Sequence, residues 1–256
     1  MNLKSTYFLL SHGSRDPQPQ IALEQLAQQL RQRYPQRFPL VSDDLTRPQA
    51  QQSSLGQFGT GVLEFGELSL HQQLQNFGQY TRGLGLNCVK ILPLFLFAGM
   101  HVREDIPIEV SLAQQVLGSK VDLQVLPFLG SQTPQIVEVL KQQIHRTDLE
   151  IWILMGHGSR RTGGNQPMEH LAKQLASVPA YWSTSPSLED QVQALAQQGY
   201  RRIGILPYFI FAGGITEAIA QSVNQLCQRF PQTELHLKTS LDQSGALFRL
   251  VEIMLG

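Results

Sequence analysis

The sequence has few cysteines, no net charge and no long hydrophobic run, and each absence excludes a class of protein. Only two of the 256 residues are cysteines, which excludes a disulfide scaffold and predicts reduced thiols. Lysine and arginine together number 20, and so do aspartate and glutamate together. The protein therefore has no net positive charge that would attract nucleic acid or an anionic membrane. The apolar run near the first residues is too short for a signal peptide or a membrane span. We therefore expect an unprocessed cytoplasmic protein without nucleic-acid or membrane partners.

An internal repeat divides the sequence into two halves. The segment SHGSRDP at residues 11–17 has a counterpart in GHGSRRT at residues 156–162. The segment ILPLFLFAGMH at residues 91–101 returns as ILPYFIFAGGI at residues 205–215. Two homologous halves are therefore predicted, with a seam near residues 145–150.

Short apolar runs alternate with longer segments of helical period in both halves. The runs are TYFLLS, CVKILPLFLF, VDLQVLPF, IWILMG, RIGILPYFIF and ELHLKTS. The apolar stripe of the first helical segment consists of Leu23, Leu26, Ala27, Leu30 and Tyr34. Strands that alternate with helices predict parallel sheets in an α/β fold. The first half is longer, and its excess falls mostly in residues 34–61, which are rich in Pro, Gln, Ser and Gly and are interpreted as a loop or lid.

A histidine follows a predicted strand in each half, at His12 and at His157. Ligands of such folds bind beyond the carboxyl ends of the strands. Gly13 permits a tight turn, and Ser14, Arg15 and the amides of the next helix can hold an anion such as a carboxylate. A histidine bonded only to its neighbouring backbone is the alternative. The repetition weakens that alternative without removing it, because duplication also copies structural residues.

Two further residues of the first half can join His12 in a divalent-metal site. His101 follows another strand and the flexible segment AGM, and strand-end loops of one sheet converge. Glu64 stands inside TGVLEFGELSL, which is interpreted as a short apolar strand, where a carboxylate is costly unless it has a partner at the strand end. Imidazole and carboxylate suit borderline divalent metals. Asp105 either orients His101 or is a solvated charge or helix cap.

The two halves differ at these positions. The first histidine is matched by His157, but His101 aligns with Ile215 and Glu64 aligns with Trp182. A duplicated site with one copy lost predicts this asymmetry, whereas a purely structural role does not require it. The sequence therefore favours one site, in the first half.

Three segments, SHGSRDP, VLEFGELSL and ILPLFLFAGMHVREDIP, together resemble the sirohydrochlorin chelatases, the class II chelatases of cobalamin and sirohaem synthesis, in their long two-half form. The resemblance implies an α/β fold of two homologous chelatase-like domains, each a four-stranded parallel sheet with flanking helices, related by a pseudo-two-fold axis. It places the active site in residues 1–147 and a degenerate site in residues 148–256. We expect the two halves to pair within one chain, as a monomer.

The resemblance also implies a reaction and roles for residues. The reaction is ATP-independent insertion of Co²⁺ or Fe²⁺ into sirohydrochlorin, with the metal as substrate and no permanently bound cofactor. The family's two active-site histidines fall on His12 and His101, and its metal-associated glutamate falls on Glu64. The residues expected to bind the carboxylates of the macrocycle are Ser14, Arg15 and Arg103. The physiological metal, Co²⁺ or Fe²⁺, stays open.

Two other functions compete with this interpretation. A non-catalytic metal or tetrapyrrole carrier would use the same residues without turnover, and the sequence leaves that alternative open. Histidine phosphatases also place a histidine at a strand end, but an arginine directly precedes it. Ser11 and Gly156 occupy that place here, which argues against phosphoryl transfer.

Overall fold

The computed structural model describes residues 5–35, 57–144 and 148–255, which form two compact units. The first unit consists of Met1–Ser131 with Met254–Gly256, and the second of Gln132–Ile253. The domain boundary predicted from the internal repeat lies after residue 147. The second compact unit begins earlier, at Gln132, and ends at Ile253. Most of the predicted loop or lid, residues 34–61, lies outside the described residues, and its last residues, from Phe58 onward, form a strand, so the prediction of a loop was wrong there. In the three described ranges, every helix falls short of the length and hydrophobicity that a membrane crossing requires.

The first unit contains a four-stranded parallel sheet with strands in the order β2-β1-β3-β4. These strands are β1 (Thr6–Ser11), β2 (Phe58–Val62), β3 (Cys88–Pro93) and β4 (Asp122–Val125). The flanking helices are α1 (Gln18–Arg33), α2 (Leu70–Gly83) and α3 (Ile106–Leu117), with a π-helical turn at His101–Asp105 and short 3₁₀ turns at Gly118–Lys120 and Leu129–Ser131.

The second unit repeats this topology, with strands in the order β6-β5-β7-β8. Its strands are β5 (Ile151–Gly156), β6 (Ser177–Tyr181), β7 (Arg202–Pro207) and β8 (Glu234–Leu237). Its helices are α4 (Thr133–Ile144), α5 (Gln166–Gln174), α6 (Leu188–Gln197), α7 (Gly214–Arg229) and α8 (Ala246–Leu255). The prediction of two four-stranded parallel sheets with flanking helices is confirmed, and the pseudo-two-fold axis stays a prediction.

The apolar patterns of the sequence account for the packing of each unit. Leu23, Leu26, Ala27 and Leu30 of α1 are buried, as their spacing predicts. On the other face of the first sheet, α2 and α3 bury a second apolar stripe against β1 and β3. The second unit buries the same kind of stripe under α6 and α7. Strand β6 was not among the predicted runs, because its five residues, SVPAY, include a proline and only two buried side chains.

Glycines in the outer strand β2 make room for aromatic rings. A Cβ atom on Gly59 would lie 2.4 Å from Cε2 of Phe77, a ring of α2 that belongs to the first core. A Cβ on Gly83, at the end of the same helix, would meet nothing within 4 Å.

These surroundings predict opposite effects of the same substitution. Gly59→Ala should lower the free energy of unfolding by about 1–3 kcal/mol, because Phe77 must shift in a packed core. Gly83→Ala should be neutral or raise it by up to about 1 kcal/mol, because alanine restricts the unfolded chain and favours a helix. Urea unfolding of both variants checks the prediction, and equal effects would contradict the packing described for Phe77.

Candidate metal site

Three side chains that can bind a metal converge at the carboxyl ends of β1, β2 and β3. His12 directly follows β1, Glu64 lies two residues beyond β2, and His101 is the first residue of the π-helical turn that follows β3. One ligand atom from each residue lies within 4.8 Å of the other two. No other group of three such residues occurs in the part of the chain that the structure describes. The structure thus brings together the three residues that the sequence proposed as metal ligands.

The two imidazoles are close enough to share one ion. His12 Nε2 lies 3.1 Å from His101 Nε2 and 3.9 Å from Glu64 Oε2. Two nitrogens at this separation can both lie ~2.0–2.1 Å from one ion, the usual length of a bond between zinc and histidine. The side chains of His12 and Glu64 are 46% and 45% exposed, so a large substrate can reach the site. The ring of Phe95 lies behind the imidazoles, 6.4 Å from each ring centre, and packs against the first core.

Hydrogen bonds fix which nitrogen of each imidazole faces the site. His12 Nδ1 lies 3.0 Å from the carbonyl oxygen of Gly13, and His101 Nδ1 lies 2.7 Å from Oδ2 of Asp105. Both partners accept hydrogen bonds, so each Nδ1 carries the proton and donates it. In the neutral imidazoles both Nε2 lone pairs then face each other. A metal ion, or one additional proton shared between the two nitrogens, relieves this repulsion, so the pair can receive a metal ion.

Glu64 reaches the site from a loop, and its placement inside a strand was wrong. Strand β2 ends at Val62. The next two residues still bond to the chain after β1: Leu63 N donates to Ser11 O at 3.0 Å, and Glu64 N donates to His12 O at 2.9 Å. The carboxylate is therefore half-exposed to solvent, and no buried partner is needed to offset its charge.

A glycine and a glutamine hold this loop. Gly13 has a φ of +92°, and a Cβ on it would lie 1.9 Å from the carbonyl oxygen of Glu64, so no other residue fits without moving the loop. The side chain of Gln73, in α2, accepts a hydrogen bond from Val62 N at 3.0 Å and donates to Val62 O at 2.9 Å and Leu68 O at 2.8 Å. Both ends of the Glu64 loop are thereby tied to one helix.

The residues expected to bind substrate carboxylates are exposed near the metal ligands. Ser14 and Arg15 lie in the loop between β1 and α1, and Arg103 lies in the π-helical turn. The start of α1 differs from the expectation, because Asp16 Oδ1 already accepts from the amide of Gln18 at 3.0 Å. The hydroxyl of Ser14 in turn accepts from the amide of Asp16 at 3.0 Å. Of the groups in this loop, the exposed side chain of Arg15 is the one most available to an anion.

The second unit has no carboxylate at the position of Glu64. The sequence alignment assigned the wrong residue to that position. Ser183 N donates to His157 O at 2.9 Å, which repeats the bond from Glu64 to His12. Ser183 therefore corresponds to Glu64, and the alignment with Trp182 was wrong by one residue. The loop between β2 and α2 is one residue longer than the loop between β6 and α6, which explains the error. Ser183 uses its hydroxyl to donate to His157 O at 2.9 Å.

The position of His101 is also altered in the second unit. Ile215 occupies it when residues are counted from the strand ends Pro93 and Pro207, and Ile215 packs against the second core from the regular helix α7. Ile106 and Ile219 are corresponding core residues of the two units. The segment from Pro93 to Ile106 is one residue longer than the segment from Pro207 to Ile219. The π-helical turn of the first unit accommodates this extra residue.

Tyr181, the last residue of β6, adds no anionic ligand to the turn that carries His157. Burial, with a smaller contribution from the Glu169 carboxylate, raises the pKa of Tyr181 to about 12, so its phenol stays neutral. A cavity of about 400 Å³ lies between α6 and α7, with Trp182 and Glu189 among its lining residues. It includes none of the three candidate ligands of the first unit, so it is a separate feature.

Comparison with known proteins connects this arrangement to a family. A family model described as CbiX matches residues 6–147 and 152–255. A curated sirohydrochlorin ferrochelatase from Priestia megaterium is 25% identical over 158 residues, which cover 56% of this chain and 58% of that protein. The match thus spans less than two thirds of the length of that relative.

Solved structures share the fold over nearly the whole chain. SirB from Bacillus subtilis with Fe³⁺ is 17% identical with a TM-score of 0.67, covering 98% of this chain and 96% of that one. SirB from Bacillus subtilis subspecies spizizenii, in complex with cobalt, is 15% identical with a TM-score of 0.69, covering 98% and 94%. A CbiX described as the terminal enzyme of sirohaem biosynthesis in denitrifying bacteria is 17% identical with a TM-score of 0.60, covering 98% and 97%. These identities show a common fold.

The hydrogen bond from His101 to Asp105 predicts a role for the carboxylate in metal affinity. Asp105→Ala should weaken Co²⁺ binding by about 10- to 100-fold, because His101 loses the partner that fixes its orientation and tautomer. Titration with Co²⁺, followed by visible absorbance, measures the effect. Glu104→Ala is the matched control in the same turn and should leave the affinity within about twofold. Equal losses would show that only the charge of the turn matters.

The close approach at Gly13 predicts a second effect on metal binding. Gly13→Ala should displace the Glu64 backbone, weaken Co²⁺ binding by more than about tenfold and lower stability by about 1–3 kcal/mol. Gly158→Ala is the control, since Gly158 has a φ of +85° and a Cβ there would lie 2.6 Å from Thr184 Oγ1. It should cost similar stability while Co²⁺ affinity is retained. The same loss of Co²⁺ affinity in both variants would exclude a specific role for the Gly13 contact.

Proposed function

The chain belongs to the CbiX family, and from that premise we propose that it is an enzyme that inserts Co²⁺ or Fe²⁺ into sirohydrochlorin. One observation carries the proposal: two imidazole Nε2 atoms face each other at 3.1 Å with a carboxylate beside them, in an exposed site. Such a site binds a divalent ion through few protein ligands and leaves room for the macrocycle to supply the others.

Metal capture comes first in the proposed mechanism. The ion binds to His12 Nε2, His101 Nε2 and a carboxylate oxygen of Glu64, with water in its remaining positions. Asp105 and the Gly13 carbonyl keep both imidazoles in the tautomer that binds metal. The Glu64 carboxylate offsets part of the charge of the ion, and three ligands hold the ion without enclosing it.

Metal transfer and proton removal are then coupled. The macrocycle loses two pyrrole N–H protons and gains one divalent ion, so the charge of the complex is unchanged. As the ion moves to the pyrrole nitrogens, the two imidazole Nε2 lone pairs become free, and each can accept one of the two protons. The same nitrogens thus serve as metal ligands and then as bases. Four macrocycle nitrogens replace three protein ligands, so the step requires no ATP.

Exposed arginine and serine side chains of the loops are proposed to position the substrate. Arg15 and Arg103 are proposed to bind carboxylates at the rim of sirohydrochlorin, with Ser14 as a further donor. Residues 1–147 are proposed to carry the active site. Residues 148–256 form a domain with a degenerate site, since Ser183 and Ile215 provide no metal ligand. Pairing of the two halves as a monomer remains part of this proposal.

Metallation assays test the proposed function. The purified protein is mixed with excess sirohydrochlorin and with Co²⁺, Fe²⁺ or Ni²⁺ under matched anaerobic conditions, and product is followed by absorbance. An enzyme forms many equivalents of metallated product, whereas a carrier stops at its own stoichiometry. The order of the rates with Co²⁺ and Fe²⁺ identifies the preferred metal. A single equivalent or less with every metal would exclude the enzyme.

The difference between the two units predicts unequal effects of histidine substitutions. His12→Ala and His101→Ala should each lower the rate of cobalt insertion by about 10²- to 10⁴-fold, because each removes a metal ligand and a proton acceptor. His157→Ala should retain most of the rate, because its unit offers no second ligand. Circular dichroism controls for folding. Equal losses at His101 and His157 would show that both units carry the chemistry.

A further inference from the structure

An exposed aromatic residue of the Glu64 loop adopts an unfavourable backbone conformation. Phe65 has a φ of +61°, a left-handed conformation that bulky residues rarely adopt. Its side chain is nevertheless 56% exposed, so burial of the ring in the core does not explain the strain. Among the described residues only Ala176 shares a positive φ without being glycine. Strain of this kind persists where the surroundings impose it, and it concentrates at functional sites.

The ring of Phe65 has one side-chain contact, and the loop that carries it is held at both ends. The guanidinium of Arg15 lies over the ring, 5.5 Å from its centre. Gln73 ties both ends of the loop through the three hydrogen bonds to Val62 and Leu68 described above. Since Glu64 directly precedes Phe65, the same restraints set the position of a metal ligand and of the aromatic ring.

Other exposed apolar side chains follow the same strand ends. Leu68 is 43% exposed in the loop after β2, and Phe97 and Met100 are 37% and 45% exposed in the loop after β3. Apolar side chains exposed together beside a polar site mark a binding surface. In the second unit Thr184 follows the counterpart of Glu64, and its φ is not positive. The exposed, strained aromatic residue therefore accompanies the metal ligands and is not a general feature of the fold.

We propose that Phe65 stacks against the conjugated ring system of the tetrapyrrole and, with Arg15, forms one composite site for the face and a carboxylate of the substrate. This inference rests on the proposed function of the metal site. The phenylalanine side chain is 56% exposed, and the guanidinium of Arg15 lies over its ring. In the proposed complex the ring stacks on the macrocycle, and the guanidinium donates to a carboxylate at the macrocycle rim.

Equilibrium binding separates this role from support of Glu64. Binding of sirohydrochlorin without metal is followed by quenching of intrinsic fluorescence, and Co²⁺ binding is followed separately by visible absorbance. Phe65→Ala and Phe65→Asn should each weaken sirohydrochlorin binding about tenfold, the effect of one aromatic contact with a flat ring. Co²⁺ affinity should change less than about twofold. Asparagine tolerates the left-handed conformation, so the melting temperature of Phe65→Asn should stay within about 2 °C of wild type.

Trp182→Ala supplies the matched control, because Trp182 is a 42% exposed aromatic residue of the second unit. It should leave sirohydrochlorin affinity unchanged once each protein is normalised to its own fluorescence. Unchanged affinity in both Phe65 variants, an equal loss in Trp182→Ala, or a parallel loss of Co²⁺ affinity would each overturn the proposed stacking role. Wild-type protein that binds sirohydrochlorin but never turns it over would overturn the proposed enzyme alone. Wild-type protein that does not bind it would overturn both.

Discussion

Two imidazole Nε2 atoms lie 3.1 Å apart, an arrangement that is favourable only with a proton or a metal ion between them, and several contacts of the first unit maintain it. Each ring is held by a hydrogen bond from its far nitrogen, one to the Gly13 carbonyl and one to the Asp105 carboxylate. Neither acceptor donates a proton, so a change of tautomer in either ring would lose that hydrogen bond. Gly13 also lets the Glu64 loop approach, and Gln73 holds that loop at both ends. The geometry of the candidate metal site is thus set during folding.

The fold and the convergence of the three candidate metal ligands could be predicted from the sequence, because both depend on the order of strands and the residues that follow them. Alternation of apolar runs with amphipathic segments specifies the parallel sheets, and residues that directly follow strands, such as His12, must lie at the edge where ligands bind. The conformation of the loops could not be predicted. Glu64 was placed within a strand and aligned with Trp182. The apolar residues beside it are equally compatible with a strand and with the loop that follows the strand. The π-helical turn at His101 has no signature in a single sequence.

Asp105 and Phe65 show what kind of information was missing. The role of Asp105 stayed open because a carboxylate four residues after a histidine reaches it only if the backbone between them is helical, and the segment begins at a flexible AGM sequence. Phe65 looked like one more apolar residue of VLEFGELSL. Its importance depends on a positive φ and on Arg15, which is distant in sequence. Both are properties of the folded backbone and have no local pattern that reveals them.

Both loops that bring ligands to the site are one residue longer in the first unit than in the second, and this difference constrains how the two halves can change. A substitution alters one codon and leaves the length of a loop intact, so Ser183→Glu and Ile215→His would place the right side chains on loops of the wrong length. Reproducing the loops of the first unit also takes two codon insertions. Point substitutions alone therefore do not convert the second unit into a copy of the first.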